Sequence, residues 1–196
     1  DILRAMSKIG SKSLVGAMYS YWPCTDFKYD DKAGAWDRSI EAMKEVAKVA
    51  EELNIECCLE VLNRFETYIM TNCDEAIEYC KRVGSKNVNI LLDTFHMNIE
   101  ETSFYEPVIA AGSRLRHIHM TESNRGMLGE GNVRWDDLFR GLQEIDFNGN
   151  LVLENFSNSV PGMAEAVSLW RPSKYNADEL AKGSLAFMRK MTCEHQ

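Results

Sequence analysis

Four residues set the chemistry this chain could perform. Glu60, Asp93, His119 and Glu154 each sit near the C-terminal end of a short apolar run, in the strings CLEVL, LLDT, HIHM and LVLEN. Three carboxylates and one imidazole make a hard, oxygen-rich donor set, which suits Mn²⁺, Mg²⁺ or Co²⁺ better than a thiolate-dominated zinc site. An acidic residue at one strand end is most often a solvated or capping carboxylate. Four such residues on four successive runs are harder to assign to solvation, so a shared metal and separate wet carboxylates both stay open on pattern alone. His117 has the inward parity of His119 one layer deeper, and is expected to be a hydrogen-bonded core histidine. His96 follows Asp93 by three residues and is expected in a loop facing the pocket. His195, at the end of the chain, carries no expected role. Arg125 lies in the segment ESNRGMLGEGN, whose glycines suggest a mobile loop over the mouth.

To bring those four residues together the chain needs parallel strands. Five apolar runs read as strands, at 13–19, 56–62, 88–94, 115–121 and 150–156. Helical patterns separate them. In 36–53 the apolar positions Ile40, Met43, Val46, Ala50 and Leu53 step by three or four, which marks a one-faced helix. Segments 74–83, 135–145 and 177–191 repeat the pattern, and 106–112 is a shorter case with Pro107 acceptable at its start. Strands alternating with helices predict a parallel sheet with right-handed crossovers.

Two architectures compete, an open doubly wound sheet and a (β/α)₈ barrel. No GxGxxG turn follows any strand, which weighs against the first. Metal-competent residues at successive C-terminal strand ends, flanked by apolar neighbours in alternation, favour the TIM barrel. Such a barrel has eight units in about 250 residues. Five are recognisable here, so residues 1–196 read as a single domain, the last five strand–helix units of a partial barrel. The opening DILRAMSKIGSK reads as the end of the helix before a full barrel's fourth strand, with three strands lacking a counterpart, and it has no apolar stretch of the signal-peptide kind.

Composition narrows the partners. The formal charge is −8, from 30 acidic against 22 basic residues, with no Lys/Arg run to follow a phosphate backbone, so nucleic acid is not an expected partner. No apolar stretch approaches the roughly 18–20 residues of a membrane span. None of the six cysteines makes a CxxC pair, and adjacent Cys57 and Cys58 should point to opposite faces of a strand. All six are expected to be reduced thiols of a cytoplasmic protein. The stretch 155–170 is expected to be a lid or a dimer contact.

The strings LEVLNRFE, LLDTFHMNIEE, HIHMTESNRGMLGEGN and LVLENF together resemble the D-tagatose 3-epimerase / D-psicose (allulose) 3-epimerase family, within the xylose-isomerase-like TIM barrels. The resemblance runs along essentially the whole chain. It implies metal ligands at Glu60, Asp93, His119 and Glu154, with Mn²⁺ preferred and Co²⁺ or Mg²⁺ acceptable. It implies sugar contacts at Glu66, His96 and Arg125, and in YSYWP it makes Trp22 a wall beside the substrate. The implied reaction inverts C3 of a free ketohexose, a small-molecule ketose, through an enediolate. Glu60 and Glu154 would be the acid/base pair as well as ligands, in a homodimer or homotetramer. Another sugar isomerase or an inosose dehydratase of the same barrel group is the alternative, as is an inactive fragment. A nuclease of that group would need a basic track that this chain lacks.

Overall fold

The computed structural model describes residues 1–156 and 162–195. Helix α1 (Ile2–Lys8) leads into β1 (Ser13–Gly16), and the long α2 (Lys32–Leu53) returns the chain to β2 (Glu56–Val61). Then come α3 (Cys73–Val83), β3 (Val88–Asp93), α4 (Thr94–Glu100), α5 (Glu106–Ala111) and β4 (Leu115–Met120). The chain closes with α6 (Trp135–Glu144), β5 (Asn150–Leu153), α7 (Met163–Ala166) and α8 (Ala177–Glu194). All strands are parallel and lie in sequence order, β1-β2-β3-β4-β5, forming a curled half-barrel.

Local chemistry explains the helix bounds. α2 buries Ile40, Met43, Ala47 and Ala50 on one stripe and stops at Asn54, a residue type that tolerates the left-handed conformation found there (φ 51°). In α3, the Asn72 side chain accepts from the Glu75 N–H at 2.9 Å, and Gly84 ends the helix at φ 79°. Asp74 and Glu75 at its start, and Lys81 and Arg82 at its end, complement the helix dipole. α8 opens with a reciprocal capping box between Asn176 and Glu179.

Strand β3 (VNILLD) is buried at every position, as a parallel strand covered on both faces must be. Together with its neighbours β2 and β4 it packs Leu59, Ile90, Leu92, Ile118 and Met120 into one apolar layer with the helices. Every strand ends earlier than the apolar runs suggested, because the last apolar residues turn out of the ladder into loops or helices. The largest difference follows β3. Here α4 begins at once, with Asp93 as its cap: Asp93 Oδ1 accepts from the Phe95 N–H at 2.6 Å. His96 is therefore a helical residue, not a loop histidine. A register shift between β3 and β4 leaves Arg116 without a partner between Leu115 and His117. No helix is long and apolar enough to cross a membrane among the described residues.

Candidate metal centre and its pocket

The register explains how four strand ends converge. Glu60 lies level with Leu91, two residues before Asp93; Asp93 lies level with His119; His119 lies level with Val152, two residues before Glu154. Each offset is zero or two residues, so all four side chains keep to one face of the sheet. The stagger itself is what strands tilted around a barrel axis require. One ligand-type atom from each of the four lies within 4.8 Å of all the others.

His119 Nδ1 faces the middle of this cluster. It stands 2.9 Å from Glu60 Oε1, 3.4 Å from Glu154 Oε1 and 3.7 Å from Asp93 Oδ2. Three carboxylates this close repel one another. Burial, followed by the charge of Glu154, pushes the Asp93 carboxyl well above its ordinary value. Burial also works against ionisation of Glu154, but the Arg125 charge, the bond to Asp93 and the His119 charge together hold it below the usual range. For His119, burial opposes the charged form, while the bond to and charge of Glu60, then Glu154, raise its pKa overall. A divalent cation bound among these side chains would neutralise the same oxygens. By geometry and donor type, Glu60, Asp93, His119 and Glu154 fit a hard cation.

A further set of contacts fixes these side chains. The Thr121 hydroxyl donates to Asp93 Oδ2 at 3.1 Å, and the Thr94 hydroxyl donates to the Thr121 carbonyl at 2.6 Å, tying the end of β3 to that of β4. The Tyr19 hydroxyl donates to the Glu60 carbonyl at 2.9 Å. Arg125 bonds Glu154 Oε2 through Nη1 at 2.5 Å, and its guanidinium lies 4.0 Å from the Phe95 ring centre and 4.5 Å from that of Phe156.

Beside the cluster opens a cavity of about 790 Å³, walled by Trp22, Glu66, His96, Arg125, Phe156 and Val167 among others, with Glu60 and Glu154 also on its lining. All the sugar-contact candidates therefore face one space. Glu66 is held from two sides: Asn63 Nδ2 donates to Oε1 and Trp22 Nε1 to Oε2, each at 2.9 Å. Trp22 is half-exposed where it lines the cavity. His96 is buried and accepts at Nδ1 from both the backbone N–H and the side-chain amide of Asn63, at 3.2 and 2.8 Å. That leaves its proton on Nε2, and burial, then the nearby Arg125 charge, holds its pKa down to about 3. Arg125 lies in the loop after β4, its side chain 8% exposed.

His117 is buried one layer below His119, with the two ring centres 5.2 Å apart. The expected hydrogen bonds are missing: neither ring nitrogen meets a partner among the described residues. Burial, then the His119 charge, lowers its pKa to about 4, so it is neutral. Asn63, Thr121 and Phe95 were not singled out in the sequence. Their roles depend on turns and on the unexpected α4, which leave no periodic signal. Of the stretch 155–170, residues 157–161 lie outside the described residues; Met163, Ala166, Val167 and Ser168 line the cavity.

Comparison with known proteins agrees with this geometry. The model of the family described as xylose isomerase-like TIM barrel matches residues 1–191. The chain is 42% identical over 179 residues to a D-psicose 3-epimerase of Ruminiclostridium cellulolyticum, covering 91% of this chain and 61% of that protein. It is 37% identical over 194 residues to an L-ribulose 3-epimerase of Methylomonas sp., covering 97% and 65%. The chain thus spans less than two-thirds of the length of these relatives. Among solved structures it is similar to the D-psicose 3-epimerase of Clostridium cellulolyticum H10 crystallised with D-tagatose, with a TM-score of 0.91 and 38% identity over 98% of this chain and 68% of that one.

Proposed function

The chain belongs to the xylose isomerase-like TIM barrel family, and from that premise we propose that it carries the catalytic face of a metal-dependent ketose 3-epimerase. The substrate would be a free ketohexose of the tagatose/sorbose or fructose/psicose kind, inverted at C3 through an enediolate. The observation that carries this reading is the opening of Glu60 and Glu154, members of one four-residue cluster, onto the cavity that also holds Glu66, His96, Arg125 and Trp22. Relatives named as D-psicose and L-ribulose 3-epimerases support the reaction class.

In this reading Glu60, Asp93, His119 and Glu154 hold a divalent cation, Mn²⁺ by preference and Co²⁺ or Mg²⁺ as substitutes. When bound, the cation supplies Lewis-acid polarisation of the ketone and its neighbouring hydroxyl. Glu60 and Glu154 rise from β2 and from beyond β5, two separate walls of the pocket. One takes the C3 proton from one face while the other returns a proton to the opposite face, each transfer contributing about 10²–10⁴ in rate. Which of them acts as base depends on which epimer binds. Asp93, which caps α4 and is deeply buried, and His119 anchor without moving protons. Arg125 steadies Glu154 and the oxygen that gains charge, and His96 and Glu66 bond oxygens near the reacting carbons. Trp22 covers the apolar side of the ring or chain. The thiols, five of them buried, suit a cytoplasmic protein, and we expect a homodimer or homotetramer.

The test follows exchange of the C3 hydrogen with solvent deuterium in the full-length protein. Glu60→Gln and Glu154→Gln should each suppress it. Wild-type exchange in both variants would rule out the two-carboxylate scheme.

A further inference from the structure

The loop that delivers Arg125 is built around a carboxylate to which the reaction assigns no part. Glu122 follows β4 by two residues and is completely buried. Its Oε1 accepts from the Ser123 N–H at 2.8 Å and the Val133 N–H at 3.1 Å. Its Oε2 accepts from the Gly129 N–H at 3.0 Å and the Trp135 indole at 3.1 Å. Four donors from the start, middle and end of one loop thus converge on two oxygens. The backbone carbonyl of Glu122 adds a fifth bond, accepting the Arg125 N–H at 2.8 Å.

Two further observations show that the loop is shaped to this carboxylate. A Cβ on Gly131 would stand 2.3 Å from Glu122 Oε1 and 2.5 Å from its carboxyl carbon, so only glycine lets the chain pass. Arg125 itself adopts φ 54°, a left-handed conformation that a long side chain keeps only where its surroundings impose it. Asn155 Nδ2 holds the same turn from the other side, donating to the Arg125 carbonyl at 2.6 Å. With the backbone so fixed, the guanidinium falls between Phe95 and Phe156 and onto Glu154.

We propose that Glu122 is a positioning residue: its two carboxyl oxygens gather the loop N–H groups and thereby preset Arg125 against Glu154. The inference rests on the epimerase reading for the use made of Arg125, but the loop geometry is independent of it. Glutamine at 122 keeps the size while turning one acceptor into a donor that must face two N–H groups. Gly131→Ala keeps the carboxyl group and displaces it. Both variants should release the same loop.

Arg125 is the only basic residue in 123–133, so trypsin cutting after it reports loop opening without any need for activity. Native-state cleavage at Arg125–Gly126 should rise at least about tenfold in Glu122→Gln and in Gly131→Ala, the size expected from leaving buried donors unmet. Cleavage after Lys8, at the far end of the molecule, should stay at the wild-type rate. In ketose epimerisation by the full-length protein, Glu122→Gln combined with Arg125→Ala should be no slower than Arg125→Ala alone, since both remove the same contact. Unchanged cleavage at Arg125, or a parallel rise at Lys8 marking general unfolding, would overturn the proposal, as would multiplicative losses in the double variant. If the wild-type protein epimerises no ketose, the functional reading fails, while the cleavage result still decides the role of Glu122 in the loop.

Discussion

Replacing Asp93 by Asn separates the electrostatics of the cluster from its packing. Asp93 is fully buried, and its nearest carboxylates, Glu60 and Glu154, have ligand atoms within 4.8 Å. Two unit charges at that distance repel by about 3.5 kcal/mol at an effective dielectric of about 20. Without a cation, burial and then the Glu154 charge therefore disfavour ionisation of this carboxyl, in line with its raised pKa. A raised carboxyl pKa means that the folded state holds the proton more tightly than the unfolded one. Its stabilising effect is complete below the unfolded value near 3.9 and is lost as pH climbs through the folded value, at up to about 1.4 kcal/mol per pH unit. Asparagine copies the neutral form: its oxygen still accepts from the Phe95 N–H, and the Thr121 hydroxyl can turn to accept from its amide. Metal-free D93N should therefore melt at or above the metal-free wild type at pH 8, with a flatter pH dependence. With Mn²⁺ at a hundred times Kd, the wild type should gain about 2.7 kcal/mol, or about 5–11 °C for a chain of this size. Loss of an outer-shell partner alone weakens metal sites about 10–100-fold, so loss of a ligand should cost at least the larger factor. D93N should then keep only about 0.4 kcal/mol of the gain, or about 1–2 °C. Thermal melts with EDTA and with Mn²⁺ read both quantities. A metal-free D93N melting about 5 °C below wild type, or one keeping the full Mn²⁺ shift, would refute the reasoning.

Three other outcomes are expected. Arg125→Lys should lower kcat/KM for the ketose by about 10–100-fold, because an ammonium cannot lie flat between Phe95 and Phe156 while bonding Glu154; steady-state kinetics on the wild type and the variant checks it. Gly149→Ala would place a Cβ 2.3 Å from the Arg116 carbonyl oxygen, so it should cost about 1–3 kcal/mol by overpacking, visible as a lower urea midpoint at unchanged slope. His117, held at about 4 against an unfolded value near 6.5, contributes stability that is complete above 6.5 and lost as pH falls towards 4. His119 pulls the opposite way, so the comparison to make is wild type against His117→Leu: urea titrations at pH 7, 6 and 5 should show a shallower acid loss in the variant.

Much of this site was legible because a parallel sheet turns one-dimensional spacing into a rim. The runs ending in Glu60, Asp93, His119 and Glu154 are the strands β2 to β5 and the residue beyond them, and their parity survives in the register. What escaped the sequence is the geometry of turns. α4 starts directly on Asp93, since one carboxylate both caps a helix and joins the cluster, and no periodicity announces a seven-residue helix. Asn63 meets Glu66 and His96, and Glu122 meets backbone N–H groups, only because loop shape brings them near, and that shape leaves no pattern in the sequence. His117 shows the limit from the other side: parity placed it correctly, but could not foretell that its ring nitrogens meet no hydrogen-bond partner among the described residues.

The order of the sheet bears on how the protein opens. β3 lies at the centre, laddered on both sides and buried throughout, whereas among the described residues β1 and β5 each pair along one edge only. Amide hydrogen exchange should accordingly run inward, fastest at Ser13–Gly16 and Asn150–Leu153 and slowest in Val88–Asp93. The cluster spans that gradient: Asp93 ends the strand that opens last, and Glu154 follows one that opens first. A cation held by both would act as a clamp from the most durable part of the sheet to the most labile. Its binding should slow exchange most in β5, the strand least protected by its own ladder.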